Sequence, residues 1–179
     1  SRRSTQRLVL RWIRSGIIWY VHLGTPCTVW SIARRGGNNE ARAAAREALG
    51  VGLALFSAEV CRAMDRAGGY WSLENPRSSR LFQFAPIAEL ANLPGARYIF
   101  FDECAYGEPY KKPSALLTNA SFLDVLGKTC NGTCCHDRLE GRKRHEISPG
   151  VFKWILKTEL AAAYSHQLCS EWSELLARH

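Results

Sequence analysis

The sequence predicts an α/β domain built on a partial, mostly parallel sheet whose last strand pair is antiparallel. Short apolar segments at 17–22 and 70–73 are separated by the alanine- and leucine-rich stretch 40–67, which favours a helix. This strand–helix–strand order is typical of right-handed crossovers between parallel strands. The connection from 101 to 114 contains no helical pattern, so the strands that it joins are predicted to be antiparallel.

The remaining elements follow from periodicity and turn residues. An amphipathic helix is predicted at 6–15, where Arg7, Arg11 and Arg14 share one face and Gly16 marks the end. The others, in chain order, are a loop at 74–79, a helix at 82–92, strands at 97–101 and 114–119, and a helix at 160–177. The 179 residues fit one domain, with a catalytic half at 1–125, a variable basic Cys/His loop at 126–150 and a helical closure at 151–179.

Charge and cysteine content narrow the class of protein. The formal net charge is +8, and residues 1–39 hold seven arginines and no acidic residue, which favours a polyanionic partner. Seven cysteines, an odd number, with no signal peptide, argue for a reducing compartment, so an intracellular location is expected, nuclear in a eukaryote. The longest apolar stretch, at 51–64, is interrupted by Glu59 and is too short to span a bilayer.

Cys27 is a candidate nucleophile because it follows a Gly/Pro turn just past a predicted strand. The carboxyl ends of strands in open α/β sheets are where ligand chemistry is placed. A thiolate needs partial exposure and a positive surrounding, and arginines follow at positions 34 and 35. The competing interpretation is an ordinary buried cysteine, and Cys27 alone does not decide between them.

The sequence Leu73-Glu74-Asn75-Pro76 repeats that arrangement after the next predicted strand. It places a carboxyl group and an amide together, with Pro76 fixing the backbone beyond them. A carboxylic acid in a cleft can donate a proton to a ring nitrogen. The competing interpretation is a loop carboxylate that caps the turn at 77–80.

Three elements together resemble the catalytic core of the cytosine-5 DNA methyltransferases. They are the Gly-x-Pro-Cys-x-x-Trp-Ser sequence at 24–31, the Glu-Asn pair at 74–75 and the Tyr-Gly-x-Pro element at 106–113. The likeness covers residues 17–119 and is greatest to methyltransferase-like domains carried by some retrotransposons and protist genomes. It implies that the fold is a partial Rossmann-like methyltransferase sheet.

The resemblance also implies a mechanism and a set of residues. A flipped-out cytosine would be attacked at ring carbon 6 by Cys27, protonated on the adjacent nitrogen by Glu74, and methylated on carbon 5 from S-adenosylmethionine. Asn75 would hold Glu74 and the loop in place, and Pro26 would lie beside the cofactor. The residues expected to contact DNA are Ser31, Arg34, Arg35, Lys111, Lys112, Arg142, Lys143 and Arg144.

The chain also departs from that family. The family's glycine-containing cofactor turn and its ribose-binding acid precede the Pro-Cys strand, and only sixteen residues precede that strand here. We therefore expect either an enzyme truncated at its N-terminus, partnered by the missing half or by other domains of a polyprotein, or a catalytically inactive nucleic-acid-binding module of a mobile element. A third hypothesis is a cysteine hydrolase that pairs Cys27 with His22, His136 or His166.

A further cluster of cysteine and histidine suggests a structural zinc. Its predicted ligands are Cys130, Cys134, His136 and His145, since thiolates and imidazoles at such spacings can surround zinc tetrahedrally. The competing interpretation is a solvated loop with incidental cysteines.

Overall fold

The computed structural model describes residues 2–31, 40–133 and 135–179. The predicted DNA contacts Arg34 and Arg35 and the predicted zinc ligand Cys134 lie outside these ranges. The chain divides into two compact units. The first unit comprises residues 1–99 and 114–124, and the second unit comprises residues 100–113 and 125–179.

The main sheet has four strands in the order β1 (Tyr20–Gly24), β2 (Tyr70–Pro76), β4 (Pro113–Thr118) and β3 (Arg97–Asp102). Only β1 and β2 are parallel neighbours, and the other pairs are antiparallel. The α/β class is therefore confirmed, whereas the prediction of a mostly parallel sheet is wrong. The reason is that β4 returns from β3 without a helical crossover and inserts beside β2, so that it separates two strands of the same direction.

Two long helices form the core of the first unit with the sheet. Helix α1 (Arg2–Arg14) and helix α2 (Glu40–Arg66) agree with the predicted helices. The buried residues packed together here are Leu10, Ile13, Ala54, Ala58, Val60, Cys61, Ala63, Met64, Trp71, Leu73, Leu81, Ile87, Leu90 and Leu117. Among the described residues, no helix combines the length and the apolar character that crossing a bilayer requires.

Two predictions for the segment after α2 are wrong. Strand β2 continues through Glu74 and Asn75 because both residues pair with β4, opposite Leu116 and Ala115. The predicted helix at 82–92 is divided into 3-10 turns at Arg80–Gln83 and Glu89–Asn92 and a short helix α3 at Ala85–Ala88. Pro86, in the first turn of α3, explains the break between the first 3-10 turn and α3, because a proline has no N–H to donate to the preceding turn and its ring clashes with the carbonyl there.

The second unit contains a β-hairpin that the sequence analysis missed. Strands β5 (Arg142–Ser148) and β6 (Val151–Leu156) are antiparallel and lie within the region predicted as a loop and a helical closure. Between them Gly150 has φ +77°, which closes the tight turn after Pro149. The chain then forms α4 (Lys157–Leu160) and α5 (His166–Ala177), so the predicted helix at 160–177 is shorter than expected.

Candidate active site

Cys27 lies on an exposed loop directly after β1. The loop is turned by a hydrogen bond of 2.9 Å from the backbone N–H of Trp30 to the carbonyl oxygen of Cys27. We call residues 25–31 the cysteine loop. The thiol is therefore open to a ligand on a segment with defined backbone structure.

Helix α2 fixes one side of the cysteine loop. The hydroxyl oxygens of Thr25 and Ser57 are 2.9 Å apart, and both residues are buried. The helix also approaches Val29 so closely at Gly50 that a β-carbon at that position would overlap the Val29 side chain. Gly50, which weakens the helix in isolation, is needed for this contact.

The segment after β2 fixes a second side of the cysteine loop. The backbone N–H of Arg80 donates to the carbonyl oxygen of Trp30 at 3.0 Å. The rings of Trp30 and Phe84 pack with their centroids 5.0 Å apart. Both contacts hold the loop at its C-terminal end.

Asn75 fixes the third side of the cysteine loop. Its side-chain amide donates to the carbonyl oxygen of Thr25 at 2.5 Å and to that of Glu74 at 3.1 Å. The residue is 1% exposed, so these bonds are shielded from water. Asn75 therefore ties the end of β2 to the residue two positions before Cys27.

Glu74 is buried at 7% exposure and pairs in register with Gly24. Because β1 and β2 are parallel and Gly24 pairs with Glu74, the cysteine loop leaves the sheet beside Glu74 and Asn75, which lie on β2. Three residues of extended chain span at most about 10 Å, which bounds the separation of the Gly24 and Cys27 α-carbons. Gly24 contributes no side chain at the position beside Glu74. The structure thus brings the three predicted catalytic residues to one region of the first unit.

A cluster of polar side chains surrounds Ser72, which lies on β2 two residues before Glu74. Ser72 is fully buried, and its hydroxyl oxygen is 2.6 Å from the Tyr20 hydroxyl and 2.9 Å from Nδ1 of His22. Burial lowers the pKa of His22 to about 4, because the charged imidazolium is poorly solvated there. His22 is therefore neutral at pH 7.

The predicted DNA contacts of the Tyr-Gly-x-Pro element have acidic partners inside the second unit. Nζ of Lys111 is 3.8 Å from Asp102, and Nζ of Lys112 is 3.7 Å from Glu103, which is fully buried. The Lys112 ammonium also lies over the Tyr164 ring. These lysines contribute to the packing of the second unit.

The predicted basic residues at 142–144 are the first three residues of strand β5 in the exposed hairpin. Arg144 is opposite Trp154, which is 63% exposed, and the Arg144 guanidinium lies 3.9 Å from the centre of the Phe152 ring. Residues two apart in a strand share a face, so Arg142 lies on this face as well. The hairpin therefore presents cations and aromatic rings together.

The predicted zinc ligands are placed only in part as expected. The sulfur of Cys130 and Nε2 of His136 are 3.4 Å apart, and the thiol of Cys104 joins them with all three donor atoms within 4.8 Å. His145 lies on β5 opposite Lys153 and is exposed, and it is not in this group. Cys104 was missed because it is distant in sequence, although its position just past β3 was a usable signal.

The prediction that S-adenosylmethionine binds to this protein gains no support from residues 2–26. Residues 2–26 hold no acidic side chain for a ribose and no glycine-rich turn after a strand. Pro26 is exposed and offers no hydrogen-bond donor. Ser31 is half-buried at the end of the described part of the cysteine loop.

Comparisons with protein-family models, with curated proteins and with solved structures found no match to this chain. The functional proposal therefore depends on the residues and contacts described above.

Proposed function

We propose that the cysteine loop and the Glu74–Asn75 pair form a base-activating centre of the cytosine-5 DNA methyltransferase type, on a partial Rossmann-like sheet. The observation that carries this proposal is the buried hydrogen bond from Asn75 to Thr25. It couples the carboxyl-bearing strand to the loop that holds an exposed thiol. A merely structural cysteine would not need such a support, because it would be held by burial.

The chemistry involves one cytosine that has left the duplex stack, since its ring carbons are inaccessible inside it. The Cys27 thiolate, formed by loss of its proton to solvent, adds to carbon 6 of the ring. The π electrons of the 5,6 bond move into the ring toward nitrogen 3, which takes the carboxyl proton of Glu74. Carbon 5 of the resulting enamine is then nucleophilic.

In enzymes of this class S-adenosylmethionine supplies the methyl group that carbon 5 attacks. The proposed steps here are limited to base binding, thiolate addition and protonation, which residues of the cysteine loop and β2 would carry out. Asn75 acts as a positioning residue, because its bonds go to Thr25 and Glu74.

The hairpin of the second unit is proposed to bind the DNA backbone and unstacked bases. Arg142, Lys143 and Arg144 supply positive charge for phosphates, and Trp154 offers an exposed ring on which a base can stack. A two-stranded ribbon also fits the width of the major groove. These features favour, as a second candidate function, a DNA-binding module with no catalytic activity.

A covalent trap separates the two candidates. Duplex DNA with 5-azacytosine in place of one cytosine is incubated with the protein and analysed on a denaturing gel. A ring nitrogen at position 5 takes up a proton after addition, so the adduct persists without a methyl donor. We expect an adduct with the wild type, none with Cys27→Ser and formation about 100-fold slower with Glu74→Gln.

Cys169→Ser is the matched control, because it removes another exposed thiol. It should form the adduct at the wild-type rate. Failure of the wild type to form an adduct on a duplex that it binds, or mapping of the adduct to another cysteine, would contradict the catalytic proposal. The first of these outcomes favours the binding module.

The salt dependence of DNA affinity tests whether the hairpin binds phosphates. Arg144→Ala should lower the slope of log affinity against log salt by about 0.9 for each phosphate contact that is lost, measured by fluorescence anisotropy with duplex DNA. Arg178→Ala removes an exposed cation just after α5 and should leave the slope unchanged. Equal slopes for the two variants would contradict binding through the hairpin.

A further inference from the structure

We propose that Cys104, Cys130 and His136 of the second unit bind a zinc ion. Their donor atoms lie within 4.8 Å of one another, and Cys130 Sγ is 3.4 Å from His136 Nε2. A tetrahedral zinc ion with ordinary bond lengths separates such donor atoms by about 3.6 to 3.8 Å. The three side chains therefore need only small adjustments to share one ion.

The Cys130 side of this cluster is held by Asp102, which is two residues before Cys104. The backbone N–H of Cys130 donates to the Asp102 carboxylate at 2.8 Å, and the Asp102 N–H donates to the carbonyl oxygen of Lys128 at 2.9 Å. Asp102 is itself buried, and Lys111 lies 3.8 Å from its carboxylate. The end of β3 thus positions both cysteines.

The His136 side is held by a different segment. The backbone N–H of Asp137 donates to the carbonyl oxygen of Pro109 at 2.8 Å. Three segments of the chain, each fixed by backbone hydrogen bonds, therefore meet at the cluster. This is the arrangement in which a metal ion links parts of a chain that are distant in sequence.

The sulfur of Cys130 already receives one hydrogen bond. The N–H of Gly132 donates to it at 3.3 Å, in a turn where Gly132 has φ +82°. A hydrogen bond of this kind orients a sulfur ligand toward a metal ion. A side chain at position 132 would strain this turn.

The loop that carries Cys130 and His136 indicates how a bound ion would stabilise this part of the chain. The described residues from 127 to 141 form no helix or strand, and none of them is buried. A loop of this length without an apolar core is ordered poorly by packing alone. Two thiolates and one imidazole bind zinc in preference to magnesium or calcium, which favour oxygen ligands. Water or another donor would take the fourth position of a tetrahedral zinc ion.

Metal content tests the proposal on the full chain. Wild-type protein, stripped with a chelator and then supplied with zinc sulfate and desalted, should retain about one zinc per chain by elemental analysis. Cys104→Ser, Cys130→Ser and His136→Asn should each retain less than about a tenth of that amount. The matched controls Cys169→Ser and His145→Asn should retain zinc as the wild type does.

A second measurement does not depend on how well the variants fold. Cobalt(II) added to the stripped wild-type chain should give the intense visible absorption of a tetrahedral thiolate complex, and zinc should displace it. Chelation should lower the melting temperature, and zinc should restore it. Retention of less than a tenth of an equivalent by the reconstituted wild type, or equal zinc loss in the Cys169→Ser control, would overturn the proposal.

The zinc proposal and the catalytic proposal can be tested independently of each other. Cys27 belongs to the first unit, whereas all three ligands belong to the second unit. Cys27→Ser is therefore expected to bind zinc fully while it forms no adduct with DNA. A Cys27→Ser chain that cannot be reconstituted would contradict the assignment of the ligands.

Discussion

The amide nitrogen of Asn75 lies 2.5 Å from the carbonyl oxygen of Thr25, and this buried hydrogen bond joins two parallel strands at the edge where both end. The bond lies two residues from the exposed thiol of Cys27. It makes the position of the cysteine loop dependent on the strand that carries Glu74.

Loss of this bond should affect reactivity as well as stability. We expect Asn75→Ala to lower the free energy of unfolding by about 1 to 3 kcal/mol, because it leaves the buried Thr25 carbonyl without this donor. We also expect adduct formation with 5-azacytosine DNA to slow at least tenfold. Urea unfolding and the denaturing gel measure the two effects.

Asn119 provides the matched control for that variant. Its side chain accepts from the N–H of Trp71 at 2.8 Å and donates to the carbonyl oxygen of Gly69 at 3.1 Å, at the start of β2. Asn119→Ala should cost similar stability and leave the adduct rate unchanged. A similar slowing in both variants would show that Asn75 has no special influence on Cys27.

Replacement by alanine should have opposite effects at the two glycines in the middle of α2. Gly52 is exposed with nothing within 4 Å of an added β-carbon, so Gly52→Ala should stabilise the protein by about 0.5 to 1 kcal/mol. Gly50→Ala should instead displace Val29 and slow adduct formation, because the added methyl group overlaps that side chain. Thermal unfolding and the adduct assay check both, and equal behaviour of the two variants would contradict the close contact.

Acid should destabilise the first unit through His22. Its pKa falls from 6.5 to about 4 on folding, so the unfolded state binds more protons between these values. The stability associated with neutral His22 is complete above pH 6.5 and decreases as the pH falls toward 4, by on the order of 3 kcal/mol. His22→Gln should reduce the pH dependence of urea unfolding in this range. The exposed His145, changed to Gln, should not alter it.

The Lys112–Glu103 pair should be sensitive to loss of one partner. Glu103 is fully buried, so Lys112→Met removes the ammonium from a buried carboxylate and should cost about 3 kcal/mol. Lys111→Met should cost less, because the Asp102 carboxylate near Lys111 keeps its hydrogen bond from the Cys130 N–H. The double variant Lys112→Met with Glu103→Gln should recover most of the loss in urea unfolding. No recovery would indicate that the charge pair is not the cause.

Local sequence patterns predicted the elements that depend on local properties. The composition of 40–67 and the spacing of apolar residues near the N-terminus predicted α2 and α1, because helix propensity and amphipathicity are properties of neighbouring residues. The strand at 97–101 was predicted for the same reason. The hairpin was missed because its strands are exposed on nearly every residue, so no alternation of apolar and polar residues marks them.

The sequence predicted that Cys27 and Glu74 both follow apolar strands; Cys27 does, whereas Glu74 lies within β2. The charge of +8 predicts a polyanionic partner. The sequence by itself determined the residue types and the long helices, whereas the ends of β1 and β2 differ from those predicted. Only the tertiary structure decided that β4 lies beside β2, that Asn75 holds Thr25, and that Cys104 lies beside Cys130 and His136. These are contacts between residues far apart in the chain, and their energies arise from pairing and burial that no local pattern encodes.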